Sequence, residues 1–168
     1  WRYKDELFWT LRFRYNPAGN EEEIYKYVTV KINAKTGEIA SFYISFPYNE
    51  NEKPVDDREA AKAAVEDFLK RFKPDKYQLV ELTEGPEQPI VPLITADTEL
   101  PRLYYFRYNR IVNGIPFPGN GFTVGYDAVR QMVTEFNMEW YNVDFPSLEG
   151  AITEEEANKA LFRDIGLE

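Results

Sequence analysis

The chain is 168 residues long, with 43% hydrophobic and 16% aromatic residues and a formal net charge of −9. That is enough apolar mass for a real core and far from a disordered composition, while 20 Lys and Arg against 29 Asp and Glu argue against binding phosphate backbones or anionic membrane surfaces. Cys and His are absent, which excludes disulfides, Cys/His zinc sites, thiol nucleophiles and His-based triads.

The opening Trp1-Arg2-Tyr3-Lys4 is not a signal peptide and no run of about 18 apolar residues follows, so a mature or excised segment is expected. Leu7, Trp9, Leu11, Phe13 and Tyr15 alternate with other residues, the period of a strand. A second strand is signalled by Val28, Val30 and Ile32, and a third by Ala40, Phe42, Ile44 and Phe46. The turn Asn33-Ala34-Lys35-Thr36-Gly37 joins these two, with Gly37 supplying a positive φ. Residues 56 to 72 read as a helix opened by a capping box, Asp56 with Glu59 three positions on. Ala61, Val65, Phe68 and Phe72, with Ala64 and Leu69 beside them, form its apolar stripe, and Lys73-Pro74 ends it.

A strand over Tyr77–Leu82 follows, then a loop from Gly85 to Pro101 carrying Pro86, Pro89, Pro92 and Pro101. Strands near 103–112 and 115–126 flank the hairpin signal Asn113-Gly114. Another strand covers about 131–140. A last helix starts at Thr153, with Ala157, Ala160, Leu161 and Ile165 on one side.

The two halves of the chain resemble each other. Tyr27–Ala34 corresponds to Gly121–Ala128 at an offset of 94 positions, and the same offset carries Phe42, Ile44 and Phe46 onto Phe136, Met138 and Trp140. Phe13-Arg14-Tyr15-Asn16 matches Phe106-Arg107-Tyr108-Asn109 at an offset of 93, and Asp56–Ala60 matches Thr153–Ala157 at 97. Four matches in one order predict a tandem repeat. The expected fold is α+β, with antiparallel sheets each covered on one face by a helix. Residues 1–50 are read as the strand half of a first unit and 51–148 as a complete second unit, helix then antiparallel strands. Residues 149–168 are read as the helix of a further unit or a cover for the first sheet.

Tyr105-Phe106-Arg107-Tyr108-Asn109-Arg110-Ile111-Val112-Asn113-Gly114-Ile115-Pro116-Phe117 resembles the aromatic strand and Arg-x-Val-Asn-Gly-Ile-Pro hallmark of the YcdB/YcdC repeated domain, as does Thr123-Val124 with Asp127-Ala128. Asn33-Ala34-Lys35-Thr36-Gly37-Glu38-Ile39 resembles the turn shared with the wider PepSY class. The second unit departs from it, with Val129-Arg130-Gln131-Met132 where Thr-Gly-Glu is expected. The resemblance implies an extracellular, cell-wall or cell-surface setting in Gram-positive bacteria, often beside S-layer homology segments. It also implies kinship with propeptides of thermolysin-type proteases, and it brings neither catalytic residues nor a cofactor.

Candidate chemistry is sparse. Carboxylate pairs suited to glycoside hydrolysis occur at Glu21-Glu22-Glu23 and Glu154-Glu155-Glu156, the latter better explained as negative charge at a helix N-terminus. Ser41, Ser45 and Ser147 have no His to activate them. The turn Asn33–Glu38 and Asp127 are oxygen-rich, but the spacing of a calcium loop is absent. Arg12, Arg14 and Lys31 are expected on a solvated sheet face. If Val28, Val30, Ile32, Phe42, Ile44 and Phe46 face the core, alternation sends Tyr25, Tyr27 and Tyr43 outward, where with Phe8 they form the candidate interaction face.

The expected function is a non-enzymatic secreted or cell-surface interaction or structural module, in its sharper form a peptidase-propeptide-like inhibitor or chaperone. A carbohydrate-binding module of a cell-wall protein is the alternative, and a carboxylate-based glycosidase a weaker one. The expected partner is a protein or cell-wall component, or a neighbouring repeat, and neither metal nor cofactor is called for.

Overall fold

A computed structural model describes residues 6–15, 26–47, 49, 51–83 and 103–165 of the chain. Among the described residues, seven strands and three helices follow one another as β1 (Phe8–Tyr15), β2 (Lys26–Asn33), β3 (Ile39–Ser45), α1 (Arg58–Phe72), α2 (Pro74–Tyr77), β4 (Val80–Leu82), β5 (Leu103–Val112), β6 (Ile115–Asp127), β7 (Met132–Glu139) and α3 (Glu154–Ile165). The expected loop from 85 to 101 and the Glu21-Glu22-Glu23 cluster lie outside the described residues.

The α+β class is as expected, but the strands form one sheet rather than a sheet per unit. Their order is β1-β2-β3-β7-β6-β5-β4, and every neighbouring pair is antiparallel. The join is short: Ser41, Phe42 and Tyr43 of β3 pair with Asn137, Phe136 and Glu135 of β7. Nothing in local alternation announces such a pairing, because it links residues more than ninety positions apart.

The tight turns form as their residues dictate. Asn33 Oδ1 accepts from the N–H groups of Lys35 (2.9 Å) and Thr36 (3.1 Å), and Gly37 takes φ +73°. At the β6–β7 turn, Asp127 Oδ1 accepts in the same way from Val129 (2.8 Å) and Arg130 (3.0 Å). There Gln131 occupies the left-handed region at φ +53°, where a Gly would sit without strain. The Arg130 guanidinium binds Asp127 and Glu52. Asn113 and Gly114 both have positive φ, the geometry of a two-residue hairpin that matches strand twist.

Helix α1 begins one residue later than the sequence suggests. Its cap is Asp57, which accepts from the Ala60 N–H at 2.8 Å. Position N3 is therefore Ala60 and no reciprocal Glu closes a box. At α3 the box does close, with the Thr153 N–H donating to Glu156 (2.8 Å) and the Glu156 N–H to Thr153 Oγ1 (3.2 Å). The Thr153 N–H and the Thr153 hydroxyl (3.0 Å), both donating to Glu156 Oε2, hold that carboxyl below its usual range. The strand expected over Tyr77–Leu82 shrinks to Val80–Leu82, because Pro74 ends α1 and then opens α2 at its first position, where a missing N–H costs nothing.

The core lies between α1 and the β5–β6–β7 part of the sheet. Ala61, Val65 and Leu69 of α1 are fully buried against Tyr104, Phe106, Tyr108, Phe122, Val124, Tyr126 and Phe136. Phe68 and Phe72 meet the Phe42 ring of β3 edge-on at 5.9 and 6.1 Å. Where α1 ends its reach, so does the core. No helix among the described residues is long and apolar enough to cross a membrane.

Candidate functional site

One row of side chains crosses the α1 side of the sheet: Leu11, Val30, Phe42, Phe136, Val124, Phe106. From Phe42 to Phe106 the row lies beneath α1 or beside it, while Leu11 is 42% exposed. Its neighbours on β1 are barer still, with Trp9 at 66%, Phe13 at 57% and Tyr15 at 64% exposure. Val28, Val30 and Ile32 are only half-buried. The apolar alternation that reads as a core strand therefore builds an open apolar face. Helix α3 does not lie over it: residues 154–164 are exposed throughout except Ala160, which is intermediate, and Leu161 and Phe162 stand 49% and 55% exposed.

The opposite side of the same strands carries the predicted interaction residues, and only two of them meet. The rings of Tyr27 and Tyr43 lie 5.7 Å apart. Phe8 shares their face, but it pairs with Asn33 whereas Tyr27 pairs with Arg14, six residues along β1 and so about 20 Å away. The Phe8 ring instead sits under the Lys31 ammonium at 4.3 Å. Tyr25 lies outside the described residues. Arg12, Arg14 and Lys31 come to this face through their pairing with Thr29, Tyr27 and Thr10.

Two members of this face escaped the sequence reading. Tyr43 is opposite Glu135, whose carboxylate accepts a 3.0 Å hydrogen bond from the Tyr105 hydroxyl. The ring of Tyr105 lies over Gly125, where a Cβ would come within 3.0 Å of it and 2.9 Å of the Glu135 Cβ. Burial and the Glu135 charge push the Tyr105 phenol well above its ordinary pKa, while burial and the Tyr27 phenol raise Tyr43. Tyr105 was hidden because it sits in an aromatic run, Tyr104-Tyr105-Phe106, in which alternation marks no outward residue.

Where β3 and β7 splay apart, a cleft of about 380 Å³ opens, lined among others by Phe8, Lys31, Glu38, Asn137, Glu139 and Trp140. At its end Glu38 Oε1 binds the ammonium groups of Lys73 (3.0 Å) and Lys76 (2.5 Å). Burial raises the Glu38 carboxyl, but the two lysines outweigh it and leave it below its usual range. For Lys73 the balance reverses, and its own burial lowers it despite Glu38. The oxygens of the Asn33–Glu38 turn and of Asp127, candidates for calcium by composition, thus hold peptide N–H groups and cationic side chains.

The family model described as the YcdB, YcdC repeated domain matches residues 2–140. No curated protein matches the chain. Among solved structures, the Bacillus megaterium YpeB C-terminal domain aligns with a TM-score of 0.45 and 12% identity, over 94% of this chain and 66% of that one. The chain thus spans just under two thirds of that neighbour's length.

Proposed function

The chain belongs to the YcdB/YcdC repeated-domain family, and from that premise we propose that it is a non-catalytic binding module whose working surface is the open apolar face of β1, β2 and β3. The observation that carries this reading is the exposure of Trp9, Leu11 and Phe13 in one strand, on the side of the sheet that α1 covers elsewhere. Large contiguous apolar patches on soluble domains mark interaction sites. The reading keeps the tandem-repeat organisation, supported by the matched turns at Asn33 and Asp127, and an extracellular or cell-surface setting. In its sharper form the module engages a secreted peptidase as a propeptide does.

An anilinonaphthalene sulfonate dye added to the folded chain at low protein concentration tests the surface. Enhanced fluorescence is expected, and it falls when Leu11→Lys and Phe13→Lys are introduced. A folded chain that leaves the dye dark sinks the reading. For the sharper form, a secreted thermolysin-type protease is expected to slow in the presence of the wild-type chain and not of the double variant. Surface proteolysis of intact producing cells is expected to remove the protein, which checks its location.

A second reading is supported by the cleft. Its lining brings the aromatic residues Phe8 and Trp140 beside the hydrogen-bonding groups of Asn137, Glu139 and Lys31, a set suited to a saccharide of the cell wall. Titration with soluble wall glycans is expected to shift the Trp140 emission, and an unshifted spectrum at millimolar glycan rejects it.

A further inference from the structure

We infer that α3 of one copy of this chain docks on the β1–β3 face of a second copy, beside that copy's α1. The inference rests on reading that face as the binding surface and names its occupant.

The molecule itself shows what covers such a face. Val30 pairs with Phe42 in β2–β3 as Val124 pairs with Phe136 in β6–β7. The two hairpins close through like turns at Asn33 and Asp127. On β6–β7 this side of the sheet is filled by α1; on β3 α1 touches Phe42, on β2 Val28, Val30 and Ile32 are left half-buried, and on β1 the side chains are bare. Three strands at about 4.8 Å spacing leave a strip roughly 10 Å wide, the diameter of one helix. A helix laid there packs against the sheet and continues the layer that α1 begins.

Helix α3 has the matching surface. With the caps Asp57 and Thr153 superposed, the sheet-facing Ala61, Ala64, Val65 and Leu69 of α1 fall on Ala157, Ala160, Leu161 and Ile165. Small residues lead and larger aliphatic ones follow, as in α1. Asp164 stands where α1 has Phe68, so the C-terminal turn of α3 sits shallower than that of α1.

A second copy supplies this helix more readily than the chain's own fold. The segment before α3 is anchored at the β5–β6 hairpin: Arg110 donates to the Tyr141 carbonyl (3.0 Å), Asn113 to the Pro146 carbonyl (3.1 Å), and the Phe145 and Phe117 rings meet at 5.3 Å. Four strand spacings, about 19 Å, separate β5 from β2, the middle of that strip. Seven residues lead from Pro146 to Thr153, about 25 Å if fully extended, and a turn at Leu148–Ala151 shortens them. Reaching its own β2 draws that linker nearly straight and costs it the turn. Reaching another copy does not.

Each copy then has one donor and one acceptor, and analytical ultracentrifugation across the micromolar range tests the pairing. The wild-type chain is expected to gain mass with concentration, more so in salt that screens the net charge of −9. Leu161→Asp removes the donor and Leu11→Lys the acceptor. Both positions are exposed, so unchanged circular dichroism and Tm are expected, with association weakened at least about 30-fold. Mixing the two variants restores one intact contact and is expected to give a two-chain complex and nothing larger. A wild-type chain that stays monomeric throughout, or assembly that survives Leu161→Asp, overturns the inference. So does a monomer in which Leu11→Lys deprotects the α3 amides in hydrogen exchange, because the occupant is then the chain's own helix. A monomer whose face still binds the dye leaves the surface reading standing while self-docking fails.

Discussion

Tyr104 and Tyr108 project from the same side of β5 into the same core, yet their hydroxyls have different fates. The Tyr104 hydroxyl donates to Asp56 at 2.6 Å, and burial followed by that carboxylate pushes its pKa up to about 12. The Tyr108 hydroxyl is buried without a hydrogen-bond partner among the described residues. A bond to a charged acceptor contributes about 1.5–3 kcal/mol, whereas an unsatisfied buried group costs about 1–3 kcal/mol. Tyr104→Phe is therefore expected to destabilise the fold by about 2 kcal/mol, and Tyr108→Phe to leave it unchanged or more stable by about 1 kcal/mol. Urea midpoints at constant m decide both. At the β6–β7 turn, Gln131→Gly relieves a left-handed residue and is expected to raise stability by about 0.5–1 kcal/mol, read as a higher Tm. Asn33, Gly37, Asn113 and Gly114 were legible as turn residues because their chemistry is local. Gln131 was not, since nothing about glutamine announces a positive φ.

Among the elements, α1 and the strand alternation could be read directly, while α2 could not: a Pro that stops one helix is also suited to start the next. Face parity was legible too, and it placed Phe8, Tyr27 and Tyr43 on one side. Parity says nothing about position along a strand, so it could not tell that Phe8 and Tyr27 lie at opposite ends of the ladder. The contact that ties the β2–β3 turn to the corner between α1 and α2 was equally silent, because Glu38 and its partners Lys73 and Lys76 are distant in sequence. Lys76 and Lys73 hold the Glu38 carboxyl below its usual range in the fold, against the effect of its burial. A group whose folded pKa is depressed adds stability above its unfolded pKa and loses it as pH falls through the folded value. The stability gap between wild type and Glu38→Gln is thus expected to be full at neutral pH and to close below about pH 4, as followed by denaturant melts across the acid range. A gap that persists at pH 2 contradicts this account.

At the scale of the whole molecule, one sheet carries a covered half and a bare half. The pairing of β3 with β7 that makes it one sheet is invisible to local pattern, and so is the bareness. Trp9, Leu11 and Phe13 alternate as a buried strand does, and only the placement of α1 shows them open. Because α1 packs on β5, β6 and β7 and meets β3 at Phe42, while Leu11 stands exposed on β1, Leu69→Ala is expected to cost about 2–5 kcal/mol and Leu11→Ala under about 1 kcal/mol, compared by thermal melts of the two variants.

Strand β1 ends the described sheet on one side, and the backbone groups along its outer edge, unpaired among the described residues, form a template on which further strands can grow into fibres. Two arginines stand guard. A second β1 laid antiparallel about Phe13 would set Arg12 opposite Arg14, and like charges directly across a ladder repel. The two arginines thus disfavour edge-to-edge pairing of β1 with a second β1 in this register. Arg12→Thr with Arg14→Thr is expected to turn a clear solution into thioflavin-positive fibrils with the spacing of about 4.8 Å, while wild type under the same agitation stays clear.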